Sequence, residues 1–581
     1  MDYNERAKKS PYNIENEITT FKEKTEEKWE LRKKHNQNII MAQRKKRIAQ
    51  LSQTIIQNNI DNIENGSNLE NKDSIKPNEI EDKLLLKEQN LSLKFPPLNK
   101  ISDNINLVLK YLSSDNREEN RWIIWALRVF FENNNIPYNE YLILFDNNIH
   151  KYYENLLNKY VEDYILINEI FYTIANFFCS SEIVNKYPKN YLEYFLSDNY
   201  FLIYQKYIMM QENELIASIL ILLINILWGN YDLIKKIYFN RKEFFYNLLE
   251  FFHDKQINIE FVKNFIKFFS LIFNAIKNNY ITDVKLFLLI LDVILMTYRN
   301  INLEKNIDIN LIILILSIFG NALTCKVKDE NENDDYFVIN FLFNGNNIKS
   351  YKFVSYFCNV LKESKFYFNN QFLLIKSLEI LYCISYYSTK YQNEQLIEYG
   401  LLNILNNIIC IKDNRQNEII EKLLSISNNI IDSDLESAKI YVNSQIFENL
   451  VQFFSLNMAN NKIMDLYLNT FQRVLNYNDK DIAENLYKRG IIKDAIFNSL
   501  QYSNENQNEK RLVLKKCKII ISYLNTMYDF HLENNESFDK EEYLLCYKFK
   551  EILLNGSLNL SEGIIEALIH TGCMNSIENK A

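Results

Sequence analysis

The sequence predicts an all-α protein built from stacked helical repeats. Glycine and proline are scarce, with 9 Gly and 6 Pro in 581 residues, so the tight turns of a hairpin-rich β fold have few residues to form them. From about residue 105, apolar segments with helical spacing alternate with short polar breaks. Five of these segments carry an asparagine, mostly at a regular interval. Helices that each expose an apolar face bury it by stacking on their neighbours.

The chain begins with a basic segment, residues 1–51, on an otherwise acidic protein. This segment holds 13 Lys/Arg and 8 Asp/Glu, whereas the rest of the chain holds 53 Lys/Arg and 66 Asp/Glu. Two basic clusters with no Gly or Pro between them predict a basic helical arm that suits an acidic partner. A solvated charged helix or a nucleic-acid-binding arm is the alternative. The cluster residues are Arg32, Lys33, Lys34, Arg44, Lys45, Lys46 and Arg47.

A polar segment, residues 52–104, separates this arm from the apolar body. It has few apolar residues and contains three of the six prolines, Pro77, Pro96 and Pro97. This composition is typical of a flexible linker. We therefore predict three parts, namely the basic arm over residues 1–51, the linker over residues 52–104, and about nine repeats over residues 105–581.

The repeat is seen in the spacing of asparagines within the apolar helices. The steps between successive members are 49, 49, 47 and 107 residues, and the last step fits two repeats, one of which carries an insertion at residues 326–335. Units of 40–50 residues with two or three helices indicate an armadillo or HEAT type of solenoid. In an asparagine-rich chain, the alternative is that each asparagine only caps a helix or fills a turn. The asparagines are Asn176, Asn225, Asn274, Asn321 and Asn428.

Further segments complete the predicted array. Residues 377–388 and 469–476 predict two more repeat helices, and Gly400 and Gly490 predict the turns at which one helix ends and the next begins. The apolar run at residues 215–227 is too short to span a bilayer comfortably and predicts a buried core helix. With no apolar signal core at the N-terminus, these features predict a soluble, intracellular protein.

The residues that carry chemistry are dispersed. Eight cysteines lie in apolar stretches without a CxxC pair, which predicts buried free thiols in a reducing compartment rather than a disulfide framework or zinc site. Five histidines form no HExxH motif, and the chain has no GxGxxG or GxxxxGK[ST] loop. The sequence therefore predicts a non-enzyme without metal or cofactor, in which most Tyr and Phe side chains belong to the core.

The arm resembles the importin-β-binding segment of importin α. In that family an F-K-x-K start and an acidic spacer precede a Leu or Met, a basic quartet and, after an interval, a second basic stretch. Residues 21–24 (FKEK), 30–31 (EL), 32–35 (RKKH) and 44–47 (RKKR) follow this order. The resemblance implies that importin β binds the arm through the seven cluster residues.

The body resembles the same family more weakly. EIFYTIANFFCSS (169–181) resembles its second armadillo repeat, the stretches around the later asparagines resemble later repeats, residues 136–156 resemble the end of the first repeat, and residues 541–555 resemble the terminal capping helix. The resemblance implies an all-α, armadillo-repeat, right-handed superhelical solenoid with an N-terminal basic helical arm.

This resemblance implies a nuclear-import adaptor that works in the cytoplasm and nucleus. It would bind importin β through the arm and a nuclear-localisation-signal cargo protein in the armadillo groove, with an export receptor as a further partner and with no nucleic acid or membrane partner. A divergent armadillo-repeat scaffold for cytoskeletal or organellar assembly is the alternative. The cargo-groove candidates are Tyr172, Asn176, Asn225, Asn274, Asn321 and Asn428.

One part of the family pattern is missing. In importin α a Trp stands four residues before each groove Asn and packs on the aliphatic stems of cargo Lys and Arg. Here those positions hold Tyr172, Ile221, Ser270, Ser317 and Leu424. Each lost stem contact removes about 0.5–2 kcal/mol, so we predict narrow or unusual cargo. We also expect an acidic concave face that residues 44–47 occupy when the receptor is absent.

Overall fold

A computed structural model describes most of the chain after the linker. The basic arm lies outside the described residues, with all seven cluster residues. Nearly all of the linker and residues 328–335 of the insertion lie outside them as well. Two compact units are present, one up to Tyr231 and one from Asp232 onward, and each is described by itself. The described residues are 98, 100–132, 136–178, 189–251, 259–302, 308–327, 337–345, 352–363, 365–410, 417–456, 461–500, 507–534, 537–555, 558 and 560–578.

The first unit is formed by helices alone within its described residues. Three of them, α2, α5 and α8, lie side by side, and shorter helices pack against them. The helices are α1 (Ile105–Leu112), α2 (Arg117–Glu132), α3 (Tyr138–Asp146), α4 (Ile149–Lys159), α5 (Tyr164–Phe177), α6 (Lys189–Tyr194), α7 (Asp198–Met209) and α8 (Asn213–Leu227).

The first half of the second unit repeats this order of short helices followed by a long one. A parallel pair of two-residue strands, β1 and β2, joins the segments that follow α11 and α13. The elements are α9 (Tyr231–Asn240), α10 (Lys242–Glu250), α11 (Ile259–Ile276), β1 (Tyr280–Ile281), α12 (Val284–Asn302), α13 (Ile309–Leu323), β2 (Lys326–Val327), α14 (Phe337–Asn344), α15 (Phe353–Glu363), α16 (Lys365–Asn369) and α17 (Gln371–Tyr387).

The second half of this unit continues the pattern and ends in three further helices. A π-helix at Ile491–Phe497 leads into the three-residue helix α25. The helices are α18 (Lys390–Glu398), α19 (Leu401–Cys410), α20 (Asn417–Ile431), α21 (Leu435–Val442), α22 (Gln445–Leu456), α23 (Asn461–Leu475), α24 (Lys480–Lys488), α25 (Asn498–Leu500), α26 (Gln507–Glu533), α27 (Lys540–Leu554), α28 (Glu562–Ile569) and α29 (Gly572–Glu578).

The helix that closes each repeat packs beside the corresponding helix of the next repeat. We call these the ladder helices; they are α2, α5 and α8 in the first unit, and α11, α13, α17, α20, α23 and α26 in the second. Within each unit every ladder helix packs on its successor. This arrangement confirms the predicted all-α repeat solenoid of armadillo-like type.

Apolar burial explains why the ladder helices stack. In α8, 12 of the 15 residues are buried, which confirms the core helix predicted at residues 215–227. A Leu or Ile side chain contributes roughly 1.5–3 kcal/mol when fully buried, so a helix of this composition is stable only between neighbours. Within the described part of the chain, no helix combines the length and apolarity needed to cross a membrane.

Aspartates before the helices fix where they begin. Asp163, Asp308, Asp434 and Asp479 each accept a hydrogen bond from the backbone N–H three residues later, at 3.2, 3.3, 2.6 and 3.2 Å. This is the N-cap interaction. Each carboxylate also binds a cation from the preceding repeat, so the cap connects repeats; the pairs are Arg117–Asp163, Lys263–Asp308, Lys390–Asp434 and Lys439–Asp479.

Two glycines make the predicted turns between short helices. Gly400 lies between α18 and α19 with φ +81°, and Gly490 follows α24 with φ +74°. A residue with a Cβ atom is strained in this left-handed region. The prediction that these glycines end one helix and permit the next is confirmed.

Tyrosine hydroxyls connect neighbouring repeats. Those of Tyr200 and Tyr207 donate to the carbonyl oxygens of His150 and Leu157, each at 2.6 Å, and that of the partly exposed Tyr477 donates to the carbonyl of Ile431 at 2.6 Å. The rings of Tyr200 and Tyr207 fill the core while their hydroxyls satisfy backbone acceptors about one repeat earlier. The predicted core role of the tyrosines is confirmed for Tyr200 and Tyr207.

The described cysteines are free thiols, as predicted. Six are buried, and burial raises the pKa of Cys325, Cys358 and Cys517 to about 12. Cys410 is exposed at the end of α19, so the prediction of burial is wrong there. Its helix presents Cys410 on the solvent side of an otherwise apolar segment. Cys179 lies outside the described residues.

We predict that replacing the cap at Asp434 destabilises α21. Asp434→Ala removes both the N-cap acceptor and the ion pair with Lys390, and should cost about 1–2 kcal/mol. Asp434→Asn retains an acceptor and should cost less than about 1 kcal/mol. Hydrogen exchange of the α21 amides measures the effect. Asp481→Ala is the control, because Asp481 also contacts Lys439 but is not an N-cap; an equal loss there would contradict the cap account.

Acid should weaken the fold through buried carboxylates. Burial raises the pKa of Glu140, but hydrogen bonds from Ser102 and from the Ile101 N–H outweigh it and hold that pKa below its usual value. Likewise Lys390 and Ser437 lower the pKa of Asp434 against the effect of burial. A lowered folded-state pKa gives stability that is complete above about pH 4–4.5 and is lost as pH falls through the folded values.

The expected result is a steep fall of the melting temperature below about pH 4.5. Scanning calorimetry from about pH 6 to pH 3 measures it. Glu140→Gln should lower the melting temperature at pH 6 and flatten its decline with acid. A variant that keeps the full slope would show that this carboxylate does not carry the dependence.

Candidate functional site

Each ladder helix of the second unit leaves one stripe of residues at least partly exposed, whereas on α5 and α8 of the first unit the exposed residues lie only near the helix start. On α20 the stripe contains Glu418, Glu421, Ser425 and Asn429, three or four residues apart, with Lys422 beside it. This spacing places side chains on one side of a helix. We call the row of these stripes in the second unit the ladder face.

The predicted cargo-groove residues all lie on ladder helices. Tyr172 and Asn176 lie on α5, and the other four asparagines lie one each on α8, α11, α13 and α20. Asn176, Asn225 and Asn428 are buried, with 7%, 2% and 8% exposure, whereas Asn274 and Asn321 are partly exposed. The structure therefore brings these amides into one row per unit, at differing depth.

The amides differ in what they bind. The Nδ2 of Asn225 donates to the carbonyl of Ala175 at 2.8 Å, so it connects two ladder helices. In the described part of the chain, Asn176 Nδ2 and Asn428 Oδ1 are buried without a hydrogen-bond partner. A buried unpaired amide atom costs about 1–3 kcal/mol, so these two atoms reduce the stability of the core around them. The neighbouring Asn429, which the sequence analysis missed, donates to Ser385 Oγ at 2.9 Å.

Charged side chains are paired between successive ladder helices of the second unit. Lys462 on α23 lies 2.7 Å from Glu421 on α20. Asp465 on α23 is paired with Lys515 and lies 3.6 Å from Arg511, both on α26. Arg473 on α23 is similarly paired with Asp432, which directly follows α20. Each of these carboxylates already holds a cation from this chain.

Charges of both signs lie on this ladder face. On α17, α20 and α23, four Lys/Arg side chains stand beside four Asp/Glu side chains, all at least partly exposed. The expectation of an acidic concave face stays a prediction. The basic residues are Lys376, Lys422, Lys462 and Arg473; the acidic ones are Glu379, Glu418, Glu421 and Asp465.

Aromatic side chains are partly exposed at other positions of the ladder helices. On α17, Tyr382 and Tyr386 have ring centroids 6.0 Å apart, and Lys422 Nζ lies 6.0 Å from the Tyr382 ring. Burial raises the pKa of Tyr382 to about 12. In the first unit, Trp125 is partly exposed on α2. The sequence analysis did not single out these side chains, because none stands four residues before a ladder asparagine.

An open cavity marks the start of α20 and α23. Its volume is about 440 Å³, and it contains two lysines and two glutamates of opposite charge. The Glu421–Lys462 pair forms part of its wall. Such a polar recess can accept a peptide side chain through hydrogen bonds and ion pairs. The lining residues are Asn417, Glu418, Glu421, Lys422, Lys462 and Ile463.

The first unit has one buried ion pair between ladder helices. Arg128 on α2 is paired with Glu169 on α5, and both side chains are 9% exposed. Removing one partner of such a pair leaves a buried charge uncompensated. Within the described residues no group of three or more His, Cys, Asp or Glu side chains is placed to hold a metal ion.

Comparison with known proteins supports the fold alone. No protein-family model and no curated protein matches the chain. Among solved structures it is similar to an engineered protein from the Northeast Structural Genomics Consortium, with a TM-score of 0.51 and 14% identity over 82% of this chain and 99% of that one. A designed armadillo repeat protein matches with a TM-score of 0.34 and 13% identity over 47% and 98% of the two chains. Another, in complex with the peptide (KR)4, has a TM-score of 0.32 and 12% identity over 50% and 99%.

We predict that neutralising ladder-face lysines strengthens binding of a basic peptide. Lys462→Gln with Lys515→Gln releases Glu421 and reduces the compensation of Asp465, so affinity for a Lys/Arg octapeptide should rise about tenfold, at roughly 0.5–1 kcal/mol per released carboxylate. Fluorescence anisotropy with a labelled peptide measures it. Lys480→Gln with Lys488→Gln is the control, because these lysines pair with Glu484 on α24. Unchanged affinity in the first variant would contradict the charge analysis.

Proposed function

We propose that the protein is a non-catalytic, armadillo-type adaptor that binds an extended polypeptide along its ladder face. The observation that supports this most directly is the row of ladder helices in the second unit, each of which leaves one stripe of residues partly exposed. Neighbouring helices lie about 8–10 Å apart, and an extended chain advances about 3.3 Å per residue. Each ladder helix would therefore meet roughly every third residue of such a chain.

Different side chains of the ladder face would contact different parts of the ligand. Partly exposed amides such as that of Asn321 would bind the ligand main chain, which has one donor and one acceptor per residue. Tyr382 and Tyr386 would pack on apolar stems. The paired charges around Glu421 and Asp465 would select side chains by sign, because a ligand charge must compete with the cation already present.

These charges argue against an ordinary basic signal as the ligand in the second unit. A peptide of uniform positive charge would meet as many Lys/Arg as Asp/Glu side chains on α17, α20 and α23. A segment with both positive and negative side chains would replace the existing ion pairs with new ones at little net cost in free energy. The proposed cargo is therefore narrow, with acidic and basic residues interspersed.

We further propose that the adaptor serves nuclear import and moves between cytoplasm and nucleus. The support is the order of parts in the basic arm, which resembles the importin-β-binding segment of importin α, joined to a body with an armadillo-like fold. Importin β is the proposed receptor, captured through the seven cluster residues. The charge of the arm would speed this encounter at low salt.

A scaffold for cytoskeletal or organellar assembly is the second candidate. It is favoured by the mixed charge of the ladder face and by the lack of a tryptophan four residues before each ladder asparagine, which depart from a groove for basic localisation signals. Such a scaffold would use the ladder face for a different polypeptide and would not need the arm. Receptor binding by the arm therefore separates the two proposals.

The test is binding of the full chain to purified importin β. We expect association at about 0.1 M salt that weakens several-fold at about 0.5 M. Reversing the charges of Arg44, Lys45, Lys46 and Arg47 should remove it. Reversing Lys8 and Lys9, which precede the resemblance, is the matched control and should leave binding nearly unchanged. Absence of association at moderate salt would refute the transport proposal and leave the scaffold.

A further inference from the structure

The helix α27, the first of the three helices that follow the last ladder helix, has one face in the core and another in solvent. Its inner face contains Leu545, Cys546, Phe549 and Leu553, which are all buried. Its outer face contains Leu544, Tyr547 and Leu554, which are 47%, 49% and 62% exposed. The last elements of a solenoid usually present a polar outer surface that keeps the array soluble. Here that surface includes large apolar side chains.

The outer residues follow the spacing of a helix-pairing seam. Lys540, Leu544, Tyr547, Glu551 and Leu554 are exposed and separated by steps of four, three, four and three residues. This alternation is the a/d spacing of helices that pack along one another. Tyr543, which is 49% exposed, widens the apolar centre of the stripe. We call these five residues the α27 seam.

The two charges of the seam stand at unfavourable ends of the helix. Lys540 is the first residue of α27 and Glu551 lies in its last turn. The helix dipole favours negative charge at the N-terminus and positive charge at the C-terminus, by about 0.3–1 kcal/mol per site. Both side chains are exposed. Local helix stability therefore does not explain this placement.

We propose that α27 pairs in antiparallel orientation with α27 of a second copy of the chain. A two-fold axis between positions 545 and 546 places Lys540 opposite Glu551 of the partner subunit, and Leu544 opposite Tyr547 of the partner subunit. The same axis generates both contacts twice, as a symmetric dimer requires. The seam is thus self-complementary in charge as well as apolar at its centre.

The expected dimer is reversible. A helix of 15 residues is about 22 Å long, and one such pair buries less than the roughly 1,200–2,000 Å² of a standard stable interface. We therefore expect a dissociation constant on the order of 10 μM. This association is independent of the arm and of the ladder face, so it goes beyond the proposed function.

Charge exchange in the full-length chain provides the test. Lys540→Glu and Glu551→Lys each replace two attractive contacts per dimer with two repulsive ones. Each should weaken association about tenfold, as four changes of roughly 0.3–0.5 kcal/mol add up. The double variant restores opposite charges across the axis and should return to within about threefold of the original constant. Sedimentation equilibrium from about 1 to 200 μM measures these constants.

The design separates pairing from folding. Both single changes improve the match between charge and helix dipole, so neither should unfold α27. The two positions are about 16 Å apart along the helix axis, so rescue in the double variant must come from a contact between chains. Lys206→Glu on α7 is the control for the change in net charge and should leave the constant unaltered.

Two results would overturn the proposal. One is a chain that remains monomeric over the whole concentration range, which would leave the seam to a different protein. The other is a double variant that dimerises as weakly as the single ones, which would place the contact elsewhere. Tyr547→Glu, which puts charge at the centre of the seam, should abolish the dimer; a dimer that survives it contradicts the proposed register.

Discussion

The lateral packing of successive ladder helices is the interaction on which the rest of this structure depends. In α8, 12 of the 15 residues are buried. A helix with apolar residues on every side is stable only when neighbouring helices cover it. In the second unit, the adjacent ladder helices and the other helices of each repeat cover most of each ladder helix, and one stripe remains partly exposed. The ladder face is therefore a consequence of stacking rather than a separate construction.

The same stacking decides which polar groups meet. Helices that lie side by side bring side chains about one repeat apart in sequence into contact, as Glu421 and Lys462 show at 2.7 Å. The N-cap aspartates follow the same rule, since the carboxylate that begins α21 also holds Lys390 of the preceding repeat. The charges of this surface are already paired with residues of adjacent repeats. The surface is therefore selective, because the charges of a ligand must form stronger ion pairs than the existing ones.

The all-α repeat fold was predictable because its signals are local. Apolar spacing, the scarcity of Gly and Pro, and the glycines at positions 400 and 490 each report on a few neighbouring residues. The character of the ladder face was not predictable, since its ion pairs join residues some 40–50 positions apart and depend on the register between helices. Asn428 and Asn429 illustrate the limit: one residue turns a side chain by about 100°, which separates a buried amide from one bonded to Ser385. The exposure of Cys410 and of the α27 seam depends likewise on which side of a helix the neighbours cover.

Hydrogen exchange of the whole chain, followed by mass spectrometry, tests the central claim most directly. If lateral packing between ladder helices holds each unit together, the amides of α13, α17, α20 and α23 should exchange at least about tenfold more slowly than those of the short helices α18, α21 and α24 in the same unit. Equal or faster exchange in the ladder helices would contradict the account, because it would mean that the repeats are held together through the short helices.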